Sequence, residues 1–120
     1  REMSRPTTVG LAREWISARA RPGTRIVHEL PSLHFLPGLH YRVEYLTSLT
    51  EKGLDFYLGG RADYVVATSA VYGPFFSAPD RFQEQHRAYQ DLFERLTPVF
   101  SVDGSRDHPG PDVRVFSVAK

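Results

Sequence analysis

Three evenly spaced histidines, His28, His34 and His40, with Glu29 beside the first, are the side chains of this chain best suited to hold a metal or move a proton. A zinc site needs about three converging protein ligands. A spacing of six fits neither the i, i+4 pairing of a helix nor the i, i+2 pairing of a strand, so the pattern argues for scattered histidines and no metal site. For acid–base work the candidate is His28, at the end of its strand. The second group is hydroxylic. The apolar run Tyr64-Val65-Val66-Ala67 leads straight into Thr68, Ser69 and Tyr72, and open α/β sheets bind ligands at the carboxyl ends of such strands. Ser69 lacks the flanking glycines of a nucleophile elbow, so the tight turn that would expose its hydroxyl is not encoded. Thr68 and Ser69 read as groups that satisfy the backbone where the strand stops. The third group is aromatic: Tyr72, Phe75 and Phe76 cluster around Gly73-Pro74, in a chain with eight Phe, six Tyr and one Trp. That cluster reads as a surface loop, part of it capping the core and part forming a binding lip.

Other chemistries find no support. Gly59-Gly60 and Gly104 are isolated, with neither a dinucleotide fingerprint nor a Walker lysine. Fifteen Lys+Arg against fourteen Asp+Glu leave a formal charge of +1. Arg81 and Arg87 stand among Asp80, Glu84, Asp91 and Glu94, so no nucleic-acid partner is expected. The chain has no cysteine, which excludes disulfides and thiolate sites. No apolar run approaches the roughly 18 residues of a membrane span.

These residues need elements to position them, and 120 residues make one α/β domain. Residues 6 to 20 read as an amphipathic helix stopped by Arg21-Pro22-Gly23. A strand over 25–30 follows, then a loop to His40. Period-two alternation over 41–47 predicts a half-buried strand. Leu54 to Leu58 reads as a short helix ended by Gly59-Gly60. The continuous apolar pattern of 63–69 predicts a central, parallel strand. The strongest helix spans 80–96, with Asp80 as its cap and Phe82, Gln85, Tyr89, Leu92, Phe93 and Leu96 on one face. Residues 99–102 and 113–118 are strands joined by a turn too short for a helix, so they pair antiparallel. The expected architecture is a three-layer α/β domain. Its mixed sheet has about five strands, mostly parallel with a C-terminal antiparallel hairpin, and helices lie on both faces.

The order of these pieces resembles a recurrent bacterial domain. Trp15-Ile16 followed by Pro22-Gly23-Thr24-Arg25-Ile26 looks like its opening helix and first strand. Asp63-Tyr64-Val65-Val66, the hydroxyl pair, Tyr72 and Pro79 look like its central strand and the segment after it. Tyr89 and Leu92-Phe93 match its long helix, and 109–116, Pro-Gly-Pro-Asp-Val-Arg-Val-Phe, match its closing strand. The family is the C-terminal soluble domain of polytopic membrane glycosyltransferases, similar to glycosyltransferase family 39 and the protein mannosyltransferases, with a GT-C membrane fold. The likeness covers nearly all of residues 6 to 119.

The resemblance implies a C-terminal piece of a multi-pass enzyme at the extracytoplasmic face of the membrane. Such an enzyme transfers a sugar from a polyprenyl-phosphate carrier. The family's catalytic acids lie in a loop between membrane helices that these residues do not include, so no catalytic residue is carried over and no cofactor is implied here. Trp15, Asp63, Tyr64, Tyr72 and Gly110 would be structural. The implied partners are the transmembrane part of the same polypeptide and a glycan, lipid-linked sugar or protein acceptor. The residues themselves, apart from the resemblance, put binding at Ser69, Tyr72, Phe75, Phe76 and His28. The rival expectation is a self-standing enzyme or small-ligand binder with Ser69, Tyr72 and His28 around the sheet's carboxyl end.

Overall fold

The computed structural model describes residues 6–31, 33–35 and 40–118, so the expected loop between Pro31 and His40 lies partly outside the described residues. Helix α1 (Thr8–Arg19) starts where the Thr7 side chain accepts the Gly10 N–H, and it buries Thr8, Ala12 and Ile16. Strands β1 (Arg25–His28) and β2 (Arg42–Tyr45) follow. A 3₁₀ turn at Leu49–Glu51 is held by a capping box in which Ser48 and Glu51 exchange side-chain and backbone bonds. Helix α2 (Leu54–Phe56) widens into a π-turn over Tyr57–Arg61, where Gly60 takes φ +85°. Strand β3 (Tyr64–Thr68), helix α3 (Ser69–Ser77), helix α4 (Gln83–Arg95) and strands β4 (Thr97–Val102) and β5 (Val113–Ser117) complete the chain.

One five-stranded sheet runs in the order β2-β1-β3-β5-β4. The architecture is the expected mixed α/β sheet with β3 at its centre, but it is less parallel than predicted. Only β2–β1 and β1–β3 pair parallel; β3–β5 and β5–β4 pair antiparallel. β5 occupies the position beside β3 that a further parallel strand would need, which confines the parallel part to three strands.

Apolar side chains pack on both faces. Ile26, Val66, Val113 and Val115 meet Ala12 and Ile16 of α1 on one side, while Val27, Val65, Ala67 and Phe116 meet Tyr72, Tyr89 and Leu92 on the other. The layers are therefore α1, sheet, and α3 with α4. Their apolar burial is the main stabilising term, at about 25 cal/mol per Å² removed from water.

Four local expectations are corrected. The Tyr72–Phe76 segment is helix, not loop. Its apolar residues lie at i, i+1, i+4 and i+5 (Val71, Tyr72, Phe75, Phe76), and burying that stripe outweighs the backbone bond lost at Pro74. Asp80 does not cap α4: the helix begins at Gln83 behind Phe82, without a side-chain cap, and Gln85 is exposed. Strand β4 begins at Thr97, not at residue 99, and so takes in Pro98, as an edge strand permits. All four residues of β2 are exposed, because β2 is the far edge of the sheet.

Candidate functional site

Alternation along β1 separates its last two polar residues. His28 follows Ile26 to the α1 side, and Glu29 follows Val27 to the α4 side. Glu29 is fully buried. Its carboxylate accepts the Leu49 N–H at 2.8 Å, the Thr68 N–H at 3.0 Å and the Tyr89 hydroxyl at 2.6 Å. Burial raises its pKa, and the three donors pull it back part of the way. The single Tyr89 proton goes to Glu29, so Ser48, 3.0 Å away, donates to the Tyr89 oxygen. Burial and the neighbouring Glu29 push the Tyr89 phenol up. The carboxyl end of β1 and β3, where open sheets commonly hold ligands, is thus filled by the chain's own carboxylate and its partners.

His28 is buried as well, and its Nδ1 accepts the Leu30 N–H at 3.2 Å while its ring meets Tyr45. Burial lowers its pKa to about 4, with His34 adding to the effect. At neutral pH the ring is uncharged and carries its proton on Nε2. Among the described residues no group of three His, Asp or Glu side chains could hold a metal ion.

The Ser69 Oγ accepts the Asp112 N–H at 2.9 Å, and the Ser69 N–H donates to the Asp112 carbonyl at 2.9 Å, so it clamps the end of β3 to the start of β5. The Thr68 hydroxyl caps α3 by accepting the Ala70 N–H. Asp63 ties the start of β3 to β1: it accepts from the Arg25 backbone at 2.9 Å and pairs with its guanidinium at 3.1 Å.

The aromatic residues divide. Phe75 turns inward, stacked on Tyr89 and edge-on to Phe82. Phe76 is 36% exposed and stacks on Phe93, which in turn stacks on Phe116. Tyr72, Phe76 and Phe93 form one wall of an open groove of about 740 Å³; its floor and far wall are Arg114 and Phe116 of β5 with Pro98 and Phe100 of β4. Arg114 Nε donates to the Tyr72 hydroxyl at 3.1 Å. Burial raises the Tyr72 pKa, and Arg114 offsets part of the rise. Among the described residues no carboxylate pairs with the Arg114 guanidinium. The groove therefore offers ring faces for an apolar or sugar surface and a cation for an anionic group.

Of the five predicted binding residues, Tyr72 and Phe76 come together in the groove. Phe75 packs behind them, Ser69 holds a strand junction, and His28 lies on the opposite side of the sheet from Tyr72. Sequence reasoning placed Glu29 only beside the histidines, without its buried role, and missed Arg114. The parity of Glu29 with Val27, and of Arg114 with Phe116, is the signal that would have turned each toward the α4 side.

Comparison with known proteins returns no match among family models, curated proteins or solved structures. No helix among the described residues is long and apolar enough to cross a membrane.

Proposed function

We propose that this chain is a non-catalytic, extracytoplasmic accessory domain of a membrane glycosyltransferase that draws its sugar from a polyprenyl-phosphate carrier, and that its groove helps recognise the acceptor. The reading rests on the motif order of the sequence and on one contrast. Of the side chains best suited to chemistry, Glu29 and Ser69 spend their oxygens on partners within the fold and His28 spends Nδ1 on the Leu30 N–H, whereas Arg114, Tyr72 and Phe76 face an open groove. Aromatic faces suit the C–H surface of a sugar ring, and a guanidinium suits a phosphate or carboxylate beside it. The transferase chemistry belongs, on this reading, to the membrane portion of the polypeptide.

Kinetics of the full-length polypeptide in membranes test the assignment. Arg114→Ala and Phe76→Ser should each raise the acceptor KM about tenfold with kcat nearly unchanged, the pattern of lost ground-state binding. An unchanged KM with wild-type folding would remove the groove from acceptor recognition. Sugar transfer by the isolated chain would remove the non-catalytic reading.

A further inference from the structure

The two edges of the sheet are built differently. At one end β4 carries Pro98 and a register shift between Pro98 and Phe100, devices that blunt an edge against pairing. At the other end β2 is regular, free of proline and wholly exposed, with Val43 at 44% and Tyr45 at 47%. The Arg42 and Leu46 N–H groups donate inward, to Thr24 and His28. Alternation then points the N–H and C=O of Val43 and Tyr45, and of Tyr41 just before them, outward from the sheet.

We infer that β2 pairs antiparallel with β2 of a second copy of this chain, with Val43 opposite Val43, to make one continuous sheet across a two-fold axis. A two-fold axis brings identical edges together antiparallel. Outward groups must face outward groups, which leaves three central registers. Centring on Arg42 sets Arg42 against Arg42, and centring on Glu44 sets Glu44 against Glu44; like charges directly opposite are destabilising. Centring on Val43 sets Arg42 against Glu44 twice, on one face. On the other face it stacks Tyr41 on Tyr45 and Val43 on Val43. Only this register matches hydrogen bonds, charges and exposed apolar side chains together. The alternating charges that would guard an edge against other strands thus select the same strand from another copy.

This surface lies away from the groove and does not depend on the function proposed for it. The contact is small, so association is weak and is best read by sedimentation at chain concentrations up to roughly 1 mM. Wild type should show a monomer–dimer equilibrium. Glu44→Arg and Arg42→Glu should each weaken it about tenfold or more by opposing like charges. An equimolar mixture of the two variants should form a heterodimer, because every cross-strand pair is then again Arg against Glu. Both positions are exposed, so circular dichroism of the variants should match wild type. A wild type that stays monomeric, a dimer indifferent to both substitutions, or a mixture that remains monomeric would each overturn the proposal.

Discussion

The Tyr89 hydroxyl of α4 donates to the Glu29 carboxylate at the end of β1 at 2.6 Å, with both side chains fully buried. Because Glu29 also accepts from Leu49 and Thr68, one side chain joins four segments of the chain. Removing the hydroxyl in Tyr89→Phe should cost about 1–2 kcal/mol. Glu29→Ala strands two backbone N–H groups as well and should cost roughly 3 kcal/mol or more. In a double-mutant cycle by urea denaturation, the pair should couple by at least about 1 kcal/mol. Additive losses would mean that the contact carries no energy of its own.

The adjacent His28 and Glu29 make opposite contributions to acid stability. His28 has a lowered pKa, so its contribution is present above 6.5 and is lost as pH falls toward about 4, on the order of 3 kcal/mol in all. Glu29 has a raised pKa, so its contribution is complete below 4.5 and is lost as pH rises through the folded value. Unfolding free energies between pH 4 and pH 7 should therefore fall more steeply toward acid in Glu29→Gln than in wild type. In His28→Asn, whose amide oxygen can replace Nδ1 as acceptor for Leu30, the acid limb should flatten. Parallel curves for wild type and both variants would contradict these assignments.

Phe75 and Phe76 are neighbours with different duties, and serine substitutions should separate them. Phe75→Ser removes a ring packed between Tyr89 and Phe82 and should cost about 3 kcal/mol or more. Phe76→Ser, at a 36% exposed position on the groove wall, should cost about 1 kcal/mol. Thermal unfolding of the two variants decides it, and equal losses would place both rings in the core.

Gly110 is required by geometry. It holds φ +126°, and a Cβ there would lie 2.5 Å from the Oγ1 of buried Thr8. Gly110→Ala should cost more than about 2 kcal/mol, from strain and clash together. Adding Thr8→Ala should recover part of that loss. No recovery would mean that strain alone sets the cost.

Much of the fold was legible in the sequence because its signals are local. Period-two alternation located β2, the continuous apolar run located β3, and the spacing of Tyr89, Leu92 and Leu96 located the buried face of α4. Gly73-Pro74 concealed α3, since turn residues outweigh periodicity when read without the burial that rewards it. The exposure of β2 was hidden because edge position is a property of strand order. The candidate site was legible only at Tyr72 and Phe76. Arg114 gains meaning from a tyrosine forty-two residues away, and Glu29 from one sixty away, separations that no local pattern reports.

The central claim is tested most directly by the initial rate of labelled sugar transfer from a polyprenyl-phosphate donor, measured for the full-length polypeptide in membranes and for this chain alone. The account predicts transfer by the former that weakens in acceptor KM with Arg114→Ala, and none by the latter. Transfer by the isolated chain, or a full-length polypeptide that stays out of membranes, would contradict it.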